Sequence, residues 1–361
     1  MIQFEEKFIS AKILASFMKD VFVKLNVPKE DAEICADVLI RSDLRGIESH
    51  GCQRLKMYYD RIIGGIQSPI TNLKVLKESA TTARIDAGHG MGHVAAYRGM
   101  QLAIKKAKEY GTGAVSVGNS THYGIAGYYS LMAIKEGMIG ITCTNARPSI
   151  APTFGVDAMM GTNPLTIGIP TDEEFPFLID CATSITQRGK IEVNARTNSP
   201  VPEGWVITNE GKLATDSGEI LEDLIEGVSA LLPLGGAGEL LGGHKGYGYA
   251  AAVEILSAAL SDGPFLKDLT LSKGYKLGHF FMAIDIEGFL PLKTFKKVSG
   301  SILRQLRNSK KAPGHDRIYT AGEKEYLSEI EREKTGIPIM PSVLEDLKYL
   351  QRQLNVSDYS F

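Results

Sequence analysis

Apolar residues recur at helical spacing through the first ~65 residues of the chain. After Pro28, the run KEDAEICADVLIRSDL places Ile34 and Val38 four residues apart and puts acidic residues in the first turn, where the helix dipole favours them. The break RGIESHG separates this run from a second amphipathic one, CQRLKMYYDRIIGG, which ends at Gly64 and Gly65. The pattern predicts a helical N-terminal segment.

Farther along, helices alternate with short apolar segments of strand length. A helical run extends from Val94 to Tyr110 and stops at Gly111. The segments that follow are rich in β-branched and aromatic residues: AVSV at 114–117, MIGITCT at 138–144, LTIGI at 165–169, FPFLID at 175–180 and HFFMAIDI at 279–286. Such segments, interleaved with helices, predict an α/β (mixed α+β) fold around a largely buried sheet.

Two segments differ from this pattern by their polar character. The tract 194–218 is polar and rich in turn-forming residues, which predicts a surface excursion. The stretch 293–311 carries seven basic residues and no acidic one. A solvated helix face accounts for that charge better than a nucleic-acid patch does.

Composition and charge narrow the class of protein. The 361 residues include 40 Lys and Arg against 42 Asp and Glu, a balance that argues against nucleic-acid or anionic-lipid partners. The start, MIQFEEKFIS, lacks the pattern of a signal peptide, and no apolar run approaches the ~18 residues of a membrane span. The cysteines are few and scattered, as expected of reduced thiols: Cys35, Cys52, Cys143 and Cys181. We expect a soluble cytoplasmic protein.

The common phosphate-binding and hydrolase motifs are absent from the sequence. There is no Walker loop, no GxSxG elbow and no HExxH helix. The closest approach to a dinucleotide fingerprint, at 246–251, does not follow an apolar strand. His89 and His93 stand four residues apart, but no third metal ligand is evident, so a loop with a histidine at a helix start is favoured over zinc.

The segment Ser49-His50-Gly51-Cys52-Gln53-Arg54 combines an imidazole with a guanidinium. If the second helix begins near His50, His50 and Arg54 project from the same face. An imidazole can transfer a proton near neutral pH, a guanidinium can hold a carboxylate with two hydrogen bonds, and Ser49 could orient the imidazole. These groups suit a reaction beside a carboxylate; the alternative is a capped helix start with a surface arginine.

Polar or glycine-rich segments also adjoin the predicted strands. They are Gly118–Gly124 after AVSV, Gly161–Pro164 before LTIGI, and Asp180–Ser184 at the end of FPFLID. Open α/β sheets bind ligands at strand ends, although each segment also suits a turn or a helix cap. The tract 235–248 has seven glycines in fourteen residues, and His244 and Lys245 precede a long helix there. A cation at a glycine loop and helix start suits a pyrophosphate.

Taken in order, SHG..R, NSTHYG, GTNP, D.ATS and GGHKGYG resemble the malate/lactate dehydrogenase family that lacks a Rossmann fold. The resemblance runs from the helical start to GEKEY near the end, and the 161–245 section is most similar to the malate dehydrogenase branch. It implies a homodimer with a non-Rossmann mixed sheet flanked by helices. The implied parts are a helical segment 1–75 packed against C-terminal helices, a first core portion 76–130, an NAD(P)-binding portion 131–290, and a helical segment 291–361.

The resemblance also implies NAD(P)-dependent interconversion of a 2-hydroxy acid and a 2-oxo acid, with malate and oxaloacetate favoured. By motif, His50 is the general acid/base with Ser49 in support, while some relatives assign proton transfer to the histidine at His122. Arg54 and Thr162 fall at substrate positions. The implied cofactor residues are Thr121, His122, Tyr123, Gly124, Ile125, Asp180, Cys181, Ala182, Ser184, Lys190, His244, Lys245, Gly322 and Glu323.

Three alternatives stay open at this point. One is another substrate of the same family, such as ureidoglycolate, sulfolactate or a different 2-oxo acid. The second is a metal-dependent hydrolase or lyase that uses His89 and His93 with a carboxylate. The third is a dimeric binding protein that holds a nucleotide without turnover. The choice between NAD and NADP is open as well.

Overall fold

The computed structural model describes residues 7–270 and 274–361 of the chain. Its helices are α1 Ala11–Lys24, α2 Lys29–Leu44, α3 Leu55–Ile63, α4 Gly92–Tyr110, α5 Gly127–Lys135, α6 Arg188–Arg196, α7 Ser217–Glu226, α8 Gly243–Glu254, α9 Leu292–Arg307, α10 Glu323–Thr335 and α11 Pro341–Leu354. Its strands are β1 Lys7–Ile9, β2 Lys74–Glu78, β3 Thr82–Asp86, β4 Thr112–Ser120, β5 Met138–Thr144, β6 Leu165–Ile169, β7 Phe177–Cys181, β8 Val206–Thr208, β9 Leu213–Ala214, β10 Ser229–Leu231, β11 Leu277–Asp285 and β12 Ile337–Ile339.

The predicted helical start is confirmed. Helix α2 covers the run after Pro28, and α3 ends at Gly64 as the paired glycines predict. Both helices pack with α1 and α11 around a shared apolar core that includes Phe17, Phe22 and Leu39. Strand β1, at the start of the described chain, pairs antiparallel with β12, which precedes the last helix. The N-terminal helices are therefore held by elements from the C-terminal end.

Seven strands form one mixed sheet in the order β2-β3-β4-β11-β5-β6-β7. Only β3 and β4 run parallel; the other neighbours are antiparallel. Strand β11 lies between β4 and β5 although more than a hundred residues separate it from either along the chain. The predicted mixed α/β fold without a Rossmann strand order is confirmed. Because one sheet joins strands from both sides of residue 130, the proposed 76–130 and 131–290 portions share it, and their boundary stays a prediction.

The tract 194–218 lies at the surface for most of its length, as predicted, but it also contains regular structure that the pattern did not predict. This tract supplies β8 and β9 to a three-stranded sheet with β10, and it continues into α7. Val201 and Val206 are buried in the tract, and both belong to a separate apolar cluster with Ile220 of α7, Ile191 and Ala250. These apolar residues stand singly among turn residues, so only contacts from distant parts of the chain show that they are core.

The basic stretch 293–311 lies largely on α9, as the helical interpretation predicts. Arg304 donates to Asp172 at 2.9 Å and also pairs with Glu173, which Arg307 contacts too. Two of the seven basic side chains are thus neutralised by acids beside β7.

In the described ranges, no helix combines the length and the apolar character that a membrane crossing requires.

Candidate active site

The segment between α2 and α3 folds into two 3-10 turns, Glu48–His50 and Cys52–Arg54. The expectation that one α-helix beginning near His50 aligns His50 with Arg54 is therefore wrong, because α3 begins only at Leu55. The two residues are brought together in another way. Nε of Arg54 donates to the carbonyl oxygen of Ser49 at 2.6 Å, which folds the guanidinium back toward the first turn.

Asp43 anchors this segment from the last turn of α2. Its buried carboxylate accepts the backbone N–H of Cys52 at 2.8 Å. Burial raises the pKa of Asp43 to about 7, an effect that the bond from Cys52 opposes. A β-carbon at Gly51 would overlap this carboxylate, so the close approach requires glycine. The turn that carries His50 is thus held at a fixed distance from α2.

We expect Gly51→Ala to destabilise the protein by about 1–3 kcal/mol, the usual cost of forcing extra volume into a packed site. Urea denaturation followed by circular dichroism measures this change. Gly189→Ala is the matched control, because nothing lies within 4 Å of a β-carbon there. An unchanged unfolding midpoint for Gly51→Ala would show that the carboxylate moves aside freely.

His50 is oriented by its neighbour in sequence. Oγ of Ser49 lies 2.8 Å from Nδ1 of His50, as the supporting role proposed for the serine requires. Burial, and then the positive charge of Arg54, lowers the pKa of His50 to about 4. The free protein therefore holds a neutral imidazole at neutral pH. This imidazole can accept a proton directly, and it becomes an acid when a bound anion offsets the neighbouring cation.

His122 lies beside His50, although 72 positions separate them. The two rings stack with their centroids 5.5 Å apart and an interplanar angle of 23°. Strand β4 ends at Ser120 and delivers His122 to this position. Burial lowers the pKa of His122 well below its usual value, with His50 and Arg54 adding to the effect. Ser49, His50, Arg54 and His122 thus form one cluster, called the histidine cluster below.

Two members of the site escape the motif comparison, Tyr58 and Arg61. The hydroxyl of Tyr58, a fully buried residue, lies 2.6 Å from Nδ1 of His122. Arg61 is half-buried, and its charge contributes to the lowered pKa of His122. Arg54, Tyr58 and Arg61 follow one another at spacings of four and three. That helical period within CQRLKMYYDRII is the signal that could have identified them.

The loop after His122 is tied to the end of β7. The N–H of Gly127 donates to Oδ2 of Asp180 at 2.7 Å, and Thr166 donates to Oδ1 at 2.9 Å. Burial raises the pKa of Asp180, and these two bonds oppose the shift. Asp180 therefore fixes the start of α5 against the sheet. This contact brings the proposed cofactor residues at 121–125 close to those at 180–184.

Both of these segments contain buried hydroxyl groups that lack a partner within the described residues. The hydroxyl of Tyr123 and Oγ of Ser184 are such groups. The ring of Tyr123 stacks on His279 with centroids 4.5 Å apart, which holds the hydroxyl in place. Buried polar groups normally find a hydrogen-bond partner. Two hydroxyl groups without one, both at predicted cofactor positions, therefore fit the binding of a polar ligand. A dinucleotide, with its many hydroxyl and phosphate oxygens, meets that requirement.

A second chain of contacts links Thr162 to the glycine tract. The N–H of Thr183 donates to the carbonyl oxygen of Thr162 at 2.9 Å, and Leu234 donates to the carbonyl oxygen of Thr183 at 2.8 Å. A β-carbon at Gly246 would overlap the backbone of Leu234, and one at Gly243 would overlap that of Gly236. Close packing of the backbone thus accounts for several of these glycines. His244 and Lys245 lie exposed in the first turn of α8.

The remaining predicted cofactor residues differ in their surroundings. Gly322 lies against the start of β7, where a β-carbon would come within 3.1 Å of the backbone nitrogen of Leu178. The buried carboxylate of Glu323 is occupied within the protein, because it accepts from the N–H of Thr320 at 3.0 Å and pairs with Arg317. Lys190 is exposed in α6, and its side chain forms no hydrogen bond or ion pair with the residues described.

The two histidines of the metal alternative have separate surroundings. Nε2 of His89 lies 2.6 Å from the carbonyl oxygen of Ile66. His93 is fully buried in the first turn of α4, where its ring packs edge-on against that of Tyr58 with ring centroids 4.8 Å apart. Across residues 7–270 and 274–361, no group of three His, Cys, Asp or Glu side chains is placed to hold a metal ion. This geometry does not favour the metal-dependent alternative.

Comparisons with known proteins agree over nearly the whole chain. A model of the family described as malate/L-lactate dehydrogenase matches residues 9–348. The malate dehydrogenase of Pyrococcus horikoshii is 49% identical over 345 residues, which cover 95% of this chain and 94% of that protein. The L-sulfolactate dehydrogenase of Methanocaldococcus jannaschii is 38% identical, with 94% and 96% covered. The crystal structure of malate dehydrogenase from Entamoeba histolytica superimposes with a TM-score of 0.95 at 46% identity and covers 99% of this chain and 100% of that one.

Proposed function

Because the chain belongs to the malate/L-lactate dehydrogenase family, we propose that it transfers a hydride between a nicotinamide cofactor and a 2-hydroxy or 2-oxo acid, with malate and oxaloacetate as substrates. The family resemblance drawn from the motifs is confirmed. One observation carries the proposal from the protein's own geometry. His50 and His122 stack in one site, and Arg54 is folded onto the same turn.

NAD or NADP is the cofactor, and the residues present fit it. Bound, it supplies or accepts the hydride. Tyr123 and Ser184 offer unpaired buried hydroxyl groups, and Gly124 and Ile125 belong to the same loop as Tyr123. Asp180, Cys181 and Ala182 lead into Ser184, and His244 and Lys245 offer a cation and a helix start for a pyrophosphate. At the 322–323 segment, Gly322 and the backbone are the available contacts, because the carboxylate of Glu323 is occupied.

The substrate roles follow from the chemistry of each group. The guanidinium of Arg54 holds a carboxylate, and Thr162 contacts the substrate from the segment that leads into β6. His50, oriented by Ser49, gives a proton to the substrate oxygen in reduction and takes it back in oxidation. Arg61 adds a second positive charge near the histidine cluster. Two cations suit an acid with two anionic groups, which favours malate over lactate and applies to sulfolactate as well.

A spectrophotometric assay tests the proposal. Purified protein is mixed with NADH or NADPH and with oxaloacetate, and we expect the near-ultraviolet absorbance of the reduced cofactor to fall. A panel of pyruvate, sulfopyruvate and oxaloacetate in reduction, with ureidoglycolate in oxidation, ranks the substrates by kcat/KM. Absence of turnover with every pair would overturn the proposal and leave the binding-protein alternative.

We also propose that the protein works as a homodimer in the cytoplasm. Leu240 and Leu241, in the glycine tract, are almost fully exposed, and Tyr249 in α8 and Ile255 just beyond it are largely exposed as well. Several large apolar side chains exposed within one segment are typical of subunit contacts. All four cysteines are free, which suits a reducing compartment. A solution mass equal to a single chain, measured by light scattering, would contradict the dimer.

A further inference from the structure

We propose that Tyr58 holds His122 in the neutral tautomer protonated at Nε2, so that His122 donates a fixed hydrogen bond to the substrate oxygen while His50 alone transfers the proton. The assignment rests on the proposed dehydrogenase function. It divides two adjacent histidines into different roles. Tyr58 is then a positioning residue, because it acts through His122.

The contacts at Nδ1 of His122 determine where its proton lies. The Tyr58 hydroxyl is 2.6 Å away, and the N–H of Gly124 points at the same nitrogen from 3.4 Å. A backbone N–H can only donate, so it faces a lone pair. The Tyr58 hydroxyl has no other hydrogen-bond partner among the residues described, so it donates as well. Nδ1 is therefore the acceptor, and the ring proton is on Nε2.

The surroundings oppose protonation of His122. A proton on Nδ1 would face the N–H of Gly124 and leave the buried hydroxyl of Tyr58 without an acceptor. Burial raises the pKa of Tyr58, so this hydroxyl keeps its proton. Burial also lowers the pKa of His122, and His50 and Arg54 lower it further. His122 thus keeps one protonation state.

His50 has a different partner at the corresponding nitrogen. Its Nδ1 meets Oγ of Ser49 at 2.8 Å, and a serine hydroxyl can either donate or accept by rotation. His50 can therefore gain and lose a proton at Nε2 while its orienting bond is retained. In reduction, C2 of the substrate gains the hydride, its oxygen takes the proton from protonated His50, and the proton on Nε2 of His122 stays on the ring. In oxidation, the same proton returns to His50.

The packing around Tyr58 makes it a rigid support. Its ring is fully buried in α3. The ring packs edge-on against His93, with ring centroids 4.8 Å apart, and is tilted against Phe22, with ring centroids 6.0 Å apart. Neither ring nitrogen of His93 has a hydrogen-bond partner among the described residues. His93 therefore contributes to this site only by packing against Tyr58. Burial lowers the pKa of His93 to about 3, which keeps it neutral behind the tyrosine.

Glutamine substitutions separate a hydrogen-bond donor from a proton carrier. A glutamine amide can donate a hydrogen bond near the position of Nε2, but it does not carry a proton in catalysis. We expect His122→Gln to retain kcat within about tenfold of wild type, since it replaces one neutral donor by another. We expect His122→Ala to lose about 10²–10³-fold. His50→Gln should lose as much as His50→Ala. Two results together would overturn the assignment: a kcat for His122→Gln as low as that for His122→Ala, and a kcat for His50→Gln close to that of wild type.

The tautomer itself can be measured without turnover. Protein labelled with ¹⁵N-histidine should show His122 with Nδ1 unprotonated and Nε2 protonated, and Tyr58→Phe should shift the ring toward the other tautomer and lower kcat by about tenfold. Tyr128→Phe is the matched control, because it removes a hydroxyl bonded to Asp37 at 2.6 Å. A wild-type spectrum with Nδ1 protonated overturns the inference even if Tyr58→Phe does not fold. Because the spectrum needs no substrate, it stays informative if the proposed activity fails.

Discussion

His50→Ala should lower kcat for oxaloacetate reduction by about 10²–10⁴-fold, the usual contribution of a general acid. His50 lies in the histidine cluster with its Nδ1 bonded to Ser49, so its loss removes the group that moves the proton. Stopped-flow or steady-state assays give kcat and KM for the variant. Cofactor binding, measured by the fluorescence of the reduced nicotinamide, should be largely retained because His50 itself is not among the proposed dinucleotide contacts.

The control for this variant is His315→Ala. His315 is exposed in the segment between α9 and α10, and its replacement should leave both kcat and cofactor affinity at wild-type values. A His50→Ala variant with near wild-type kcat would remove His50 from the mechanism. A variant that loses cofactor affinity in parallel with kcat would instead place the histidine in the dinucleotide site.

Arg54→Lys should reduce kcat/KM for oxaloacetate by about 10–100-fold, the worth of one or two charge-assisted hydrogen bonds. Lysine keeps the positive charge but cannot reproduce the paired N–H groups of a guanidinium. It also loses the bond from Nε to the carbonyl oxygen of Ser49, which orients the arginine toward the cluster. We expect most of the change in KM for the acid, with the KM for the reduced cofactor little altered.

Arg352→Lys tests whether any arginine substitution has this effect. Arg352 is exposed in the last turn of α11, where the exchange should change neither kcat nor the KM for oxaloacetate. An Arg54→Lys enzyme with unchanged kcat and KM would show that this arginine does not hold the carboxylate. Equal losses for substrates with one and two carboxylates would assign Arg54 to the carboxylate beside the reacting carbon, and Arg61 would then serve the second.

Most elements of the fold follow from local patterns. The apolar runs predicted five strands of the large sheet within a few residues, and glycines marked the ends of α3 and α4. The order of those strands could not be predicted in this way. Strand β11 lies at the centre of the sheet because β4 and β5 both pair with it across long stretches of chain. The small sheet within 194–218 could not be predicted for a related reason, since its single apolar residues become core only through distant contacts.

The sequence by itself determined which chemical groups the protein has and in which order they occur. The motifs follow one another along the chain in the order typical of the family. The sequence therefore identified the family, the imidazole and guanidinium pair, and the segments proposed for the cofactor. Only the tertiary structure decided the partners of those groups: the stacking of His50 on His122, the bond from Tyr58 across 64 residues, and the carboxylate of Asp43 against Gly51. The physical reason is that hydrogen-bond partners and burial depend on where the chain returns in space, which local spacing does not encode.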